Sequence, residues 1–200
     1  MFLAVSIAAN DYLLKSTFID VYAGASFPAI KNAYNILWKI NCGLRIPDSN
    51  GTCTVGIVYG TGNAVKTTDN DKVYYYGLFE GYSQLSDSAG YSAMRDVKAS
   101  LVAIEILGGY YIKAFDRDNC FGFKAGIALD YETFQGKLLN NVTETLGWQT
   151  GLDLPVSIEV KIKLFEFDKN KIYLYLEPEV WINLNHGMVV FLNTNLGWEF

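Results

Sequence analysis

The sequence predicts an all-β fold, an antiparallel up-and-down β-barrel of about ten strands, with eight as the alternative. Two observations carry this. Apolar and polar residues alternate with a period of two along most of the 200-residue chain. Short clusters of turn-forming residues separate the alternating runs, which makes successive strands antiparallel neighbours. A transmembrane helix is excluded, because no run approaches the roughly 18 apolar residues such a helix needs. The most apolar stretch, 101–107, already contains Glu105.

The elements follow in chain order. Residues 1–9 supply a tenth strand, with Leu3, Val5 and Ile7 on one face, or else the remnant of a signal peptide, since Ser6-Ile7-Ala8 has small–x–small spacing. Residues 17–27 alternate weakly. Residues 34–46 place Ile36, Trp38, Ile40, Cys42, Leu44 and Ile46 opposite Lys39, Asn41, Gly43 and Arg45. Residues 52–61 and 73–83 are weaker members. Residues 97–115 keep the period only if a β-bulge near Val102 and Ala103 resets it. Residues 121–131 set Phe121, Phe123, Ala125, Ile127, Leu129 and Tyr131 against Gly122, Lys124, Gly126, Ala128 and Asp130.

The longest run, 146–163, carries Leu146, Trp148, Leu152, Leu154, Val156, Ile158, Val160 and Ile162 on one face. Its other face has no large apolar residue. Residues 171–184 alternate Ile172, Leu174, Leu176, Pro178, Val180 and Ile182 with Tyr173, Tyr175, Glu177, Glu179, Trp181 and Asn183; residues 188–200 form the last strand. Turns fall at 47–51, 116–119, 168–170 and 185–187, and the longer connections are 62–72, 84–96 and 132–145. Pro155 and Pro178 lie inside strands, where each removes a backbone donor, so each is expected at a bulge or at the end of the spanning part.

Two architectures share this pattern with opposite polarity. A soluble lipocalin-like barrel keeps its apolar face inside, whereas a membrane barrel turns that face to lipid and keeps polar groups in its lumen. The polar face here is rich in glycine (Gly43, Gly56, Gly60, Gly122, Gly126, Gly147, Gly151 and Gly197), which weakens an exposed strand but makes room in a crowded lumen. The apolar faces are long and bulky, and would overpack one small barrel if all pointed inward. The predicted fold is therefore a transmembrane barrel, with residues 1–200 as a single domain.

The chain ends in a third pointer. Val190, Leu192, Leu196, Trp198 and Phe200 share one face of the last strand, with Thr194 between them. This run resembles the terminal β-signal of bacterial outer-membrane proteins, and the chain as a whole resembles the small outer-membrane barrels of the OmpA-barrel, OmpX and OmpW size class. The resemblance implies a location in the bacterial outer membrane, with outer-membrane lipid and the barrel-assembly machinery as partners. It places the C-terminus on the periplasmic side and 84–96 and 132–145 outside the cell, where they are available to an extracellular or host ligand. Members of this class anchor, adhere or admit small molecules. The role expected is a non-enzymatic surface barrel acting through its external loops. The alternatives are a narrow passive channel for small solutes and a soluble lipocalin-like carrier.

Composition narrows the chemistry. Sixteen basic residues against 21 acidic ones give a net charge of −5, with no basic block, so nucleic acid is not an expected partner. Cys42, Cys53 and Cys120 are too few and too scattered for a disulfide scaffold or a zinc site. The single histidine, His186, lies in an Asn-His-Gly turn, and no serine follows Ser157 to complete the serine–histidine pattern of outer-membrane lipid hydrolases and acyltransferases. No catalytic residue, metal site or cofactor is expected. The alternation assigns Glu105, Asp130, Asp153, Glu159, Glu177, Glu179 and Glu199 to the lumen, together with Lys39, Arg45, Lys98, Lys113, Lys124, Lys161 and Lys163. Balanced charge points to a cross-bridged network that plugs the barrel rather than to acid–base catalysis.

Overall fold

The computed structural model describes residues 18–29, 32–46, 50–69, 72–79, 95–112, 120–137, 142–167 and 170–199. Eight strands close on themselves: β1 (Phe18–Pro28), β2 (Leu37–Ile46), β3 (Gly51–Asn63), β6 (Arg95–Ile112), β7 (Cys120–Lys137), β8 (Thr143–Phe167), β9 (Asn170–Asn183) and β10 (Gly187–Glu199). Every neighbouring pair is antiparallel, and β10 closes the barrel against β1 from Asp20↔Glu199 to Pro28↔Phe191. The two remaining strands, β4 (Val65–Asp69) and β5 (Lys72–Tyr76), form a separate hairpin inside the connection from β3 to β6.

Burial follows the pleat. On β3 and β7, residues alternate between buried and exposed almost without interruption. The exposed members are the apolar ones: Ile40, Ile57, Ile104, Leu129, Leu152 and Leu196 all stand more than half exposed on the outer wall. Exposed aromatics collect at both ends of this apolar band. Tyr110, Phe123, Phe165 and Trp198 lie toward the end where β1 starts and β10 finishes, the terminal end; Trp38, Tyr59, Tyr131 and Trp148 lie toward the opposite, loop end. An apolar wall between two aromatic girdles, around a polar interior, is the polarity of a membrane barrel and the inverse of a lipocalin.

The barrel has eight strands rather than ten. The described part of the predicted 73–83 strand does not join the wall: within 72–79 the strand is Lys72–Tyr76, which pairs with β4, and 80–83 lie outside the described residues. Residues 1–9, read as a tenth strand or signal remnant, lie outside the described residues. Losing one strand from the middle of the order also moves 62–72. It is part of the long connection from β3 to β6 at the loop end, whereas a ten-strand order would have made it a turn at the terminal end. With eight strands, an even number, the start of β1 and the end of β10 lie on one side of the barrel.

Other local expectations are corrected. Strand β6 needs no bulge at Val102 and Ala103, because Leu101, Ala103 and Leu107 face inward as apolar lumen residues; its irregularity lies between Arg95 and Lys98, where Asp96 has φ of 52°. The 132–145 connection is much shorter, since β7 continues to Lys137 and β8 begins at Thr143. A register shift there, with Phe134 opposite Gly147 and Gln135 opposite Thr145, turns Leu146 into the lumen rather than toward lipid. Both strand prolines sit at lapses of the ladder. The β7–β8 pairing skips between Ala125↔Val156 and Ala128↔Asp153, around Pro155, and the β8–β9 pairing skips between Ser157↔Glu179 and Val160↔Leu176, around Pro178.

Candidate functional site

The lumen toward the terminal end is built on three lysines. Lys161 of β8 lies 3.1 Å from Asp20 of β1 and 2.8 Å from Glu199 of β10, and its ammonium sits 3.9 Å above the Tyr173 ring. Lys124 of β7 pairs with Glu159, lies 3.4 Å from Glu177 and donates to the Tyr22 hydroxyl at 2.9 Å. Lys39 of β2 bridges Glu105 at 2.7 Å and Glu179 at 2.8 Å, with Glu177 at 3.9 Å. Glu177 therefore stands between Lys39 and Lys124, and it also accepts from the Ser157 hydroxyl at 2.7 Å. Neutral donors complete the set: Asn193 to Glu179 at 2.7 Å, Tyr173 to Glu199 at 3.3 Å, and Tyr111 to Glu159. All the charged members are at least 95% buried. Ions this dry are stable only when bridged, so the network ties strands from around the wall across its interior.

Glycines and tyrosines give the network its room. Gly122 of β7 faces Tyr111 of β6, and Gly197 of β10 lies under the Tyr175 ring beside Tyr22. Tyr22 and Tyr175 stack at 4.6 Å between ring centroids. A side chain at either glycine would displace a ring, so the glycine-rich polar face serves packing inside a narrow lumen.

Toward the loop end the lumen changes character. Leu37, Leu101, Phe134, Trp181 and Phe191 face inward from five strands. Tyr34, from the β1–β2 connection, and Val73, Tyr75, Leu78 and Phe79, from the β3–β6 connection, pack among them as a single apolar cluster. Beside this cap lie Asp130, Glu132 and Asp153, near enough to repel one another. Among the described residues no basic side chain pairs with any of the three. Asp153 accepts from Asn183 at 2.8 Å, and Glu132 accepts from the Tyr34 hydroxyl, the Gln149 amide and the Leu78 backbone N–H, the last at 3.1 Å. Burial, then the Glu132 carboxylate, pushes the Tyr34 phenol above its ordinary range.

Of the residues expected in the lumen, the structure brings Lys39, Lys124, Lys161, Glu105, Glu159, Glu177, Glu179 and Glu199 together in ion pairs. Asp130 and Asp153 are in the lumen but in the separate acidic group. Lys163 lies opposite Tyr173 at the terminal end of β8, ahead of the register shift between Lys163 and Phe165; it is partly exposed at the rim and pairs with Glu166 at 2.9 Å, and none of the ion pairs above includes it. Lys98 is exposed on the outward-facing side of β6, because the absent bulge leaves the even positions outside. The side chain of Arg45, and Lys113, lie outside the described residues. Sequence reasoning missed Asp20, on a weakly alternating strand, and Glu132, assigned to a loop. The expected seven-to-seven balance does not hold: nine buried carboxylates face three buried lysines among the described residues. Hydroxyl and amide donors meet part of the difference, Tyr34 and Gln149 at Glu132 and Asn183 at Asp153.

Val190, Leu192, Leu196 and Trp198 of the terminal run do lie on the outer face of β10; Phe200 is outside the described residues. His186 sits in the β9–β10 turn at the loop end, and partial burial lowers its pKa. Cys42 and Cys53 are exposed on the outer wall but not opposite each other, since Cys42 faces Val55 and Cys53 faces Leu44. Among the described residues no group of three or more histidine, cysteine or acidic side chains is placed to hold a metal ion.

No protein-family model matches the sequence, and no curated protein does. Solved structures match the fold. Neisserial surface protein A superposes with a TM-score of 0.52 at 12% identity, over 92% of this chain and 96% of its own. A major outer membrane protein from Thermus thermophilus does so with a TM-score of 0.60 at 12% identity, over 92% and 99%. The chain has the fold of the small bacterial outer-membrane β-barrels, with eight strands in its wall.

Proposed function

We propose that this chain spans the bacterial outer membrane as a non-conducting surface barrel, and that its role is carried by the connections at the loop end. The observation that supports this most directly is the filled lumen: bridged ions toward the terminal end and an apolar cap toward the loop end leave the barrel with no place for a solute path. The functional surface then lies at an end rather than along the axis. With the C-terminus periplasmic, the loop end faces outward, and it carries the longest connection, 64–94. Anchoring or adhesion to something outside the cell is the role that fits a stable wall with one elaborated end.

Protease treatment of intact cells tests this. Cleavage within 80–94 before lysis, with the barrel recovered in the outer-membrane fraction, is the expected result. Protection until the cells are opened, or recovery in the soluble fraction, would contradict it.

A further inference from the structure

Two features of the loop end belong together. The first is that the barrel wall closes without β4 and β5, which pair with each other in a sheet of their own. The segment that follows it, through Phe79, could leave the lumen without breaking a wall ladder. The second is that one buried carboxylate joins this segment both to the β1–β2 connection and to the wall. Glu132, 1% exposed, accepts from Tyr34 on one connection, from the Leu78 N–H on the other, and from Gln149 on the wall. Gly77 lies so close that any Cβ there would run into the Glu132 carboxyl group. The Ala33 N–H donates to the Gly77 carbonyl at 3.1 Å, which ties the two connections to each other beside the same group.

We propose that Glu132 is a latch: it holds residues 72–79 as a releasable plug in the loop end of the lumen, over Asp130 and Asp153. Release exposes Asp130 and Asp153, whose Oδ1 and Oδ2 respectively have no hydrogen-bond partner among the described residues, and gives the loop end a second, open state with an acidic mouth. The wall and the three lysine bridges below stay in place. The latch presupposes the closed mouth of the surface-barrel reading and adds the means by which it opens.

The test uses a barrel in which Cys42, Cys53 and Cys120 are alanine and Val73, buried in the plug, is cysteine. It is refolded into phosphatidylcholine vesicles and labelled with a membrane-impermeant maleimide. Labelling should be slow in this parent. Glu132→Ala should speed it by about tenfold or more, the effect of losing hydrogen bonds to a charged acceptor. Glu132→Gln, whose amide oxygen still accepts, should stay near the parent rate. Unchanged labelling in Glu132→Ala, with the barrel still migrating as the compact form on an unboiled gel, would overturn the latch. If that variant does not fold, Tyr34→Phe removes one of its hydrogen bonds, and the same comparison decides: faster labelling supports the latch and an unchanged rate overturns it. A parent that labels as fast as a free thiol would instead defeat the closed-mouth reading itself.

Discussion

Gly56 of β3 lies directly opposite Glu105 of β6, and a Cβ added at Gly56 would come within 2.8 Å of the Glu105 Cγ. The same position meets Asn41 of β2 on its other side. The Lys39–Glu105 bridge therefore crosses the inner surface of β3 at the one residue type that leaves it room.

Gly56→Val should accordingly push Glu105 off Lys39. Overpacking of this kind costs about 1–3 kcal/mol. The folded barrel should unfold at lower urea concentration in lipid vesicles. Gly108→Ala, on the outer face of β6 with nothing within 4 Å, should change the midpoint little. Equal effects of the two substitutions would mean that the lumen is not packed as described.

Two lysines that look alike in the alternation should behave differently. Lys124→Met leaves Glu159 and Glu177 facing each other with a buried cation removed, a loss of about 3–5 kcal/mol. Lys163→Met removes the rim pair with Glu166, 29% and 46% exposed, and should cost no more than about 1 kcal/mol. Comparable destabilisation would put Lys163 back into the network.

The outer wall makes a further distinction. Ile104→Arg, in the middle of the apolar band, should cost about 2–4 kcal/mol in a bilayer, whereas Thr133→Arg, beyond the Tyr131 girdle, should cost about 0–1 kcal/mol. Folding in vesicles measured by gel mobility separates them. Tolerance at Ile104 with loss at Thr133 would invert the barrel.

Assembly should depend on the terminal strand in a way that stability does not. Phe200→Asp, which disrupts the run shared with Leu196 and Trp198, should reduce outer-membrane insertion far more than Glu199→Gln. Glu199 faces Lys161 and Tyr173 inside, so its loss weakens the folded barrel rather than its recognition. Equal, normal insertion of both variants would speak against a β-signal.

Most of the wall was legible because lipid-facing strands repeat a strong signal. Trp148 to Ile162 on β8 and Ile172 to Ile182 on β9 announce both strand and face. The misreadings come from places where that signal is carried by other physics. Residues 73–83 have strand composition, yet Val73, Tyr75, Leu78 and Phe79 pack into the loop-end cap. Leu101 and Leu107 are apolar on the lumen side, which imitates a register change. Leu146 is turned inward by a shift that only the pairing with Phe134 reveals. The lysine bridges were legible as a set of inward charges. Which carboxylate meets which lysine depends on stagger around the barrel, and Glu132 acquires its role from Tyr34 and Leu78, which reach it through connections with no period to read.

The central claim is that the lumen is sealed, and single-channel recording in planar bilayers tests it most directly. The purified, unmodified barrel should show no steady opening, or brief small ones with weak ion selectivity, because Lys39, Lys124 and Lys161 bridge the interior and the apolar cap closes the loop end. A large, stable and strongly selective conductance from the same preparation would contradict the account and make the chain a channel.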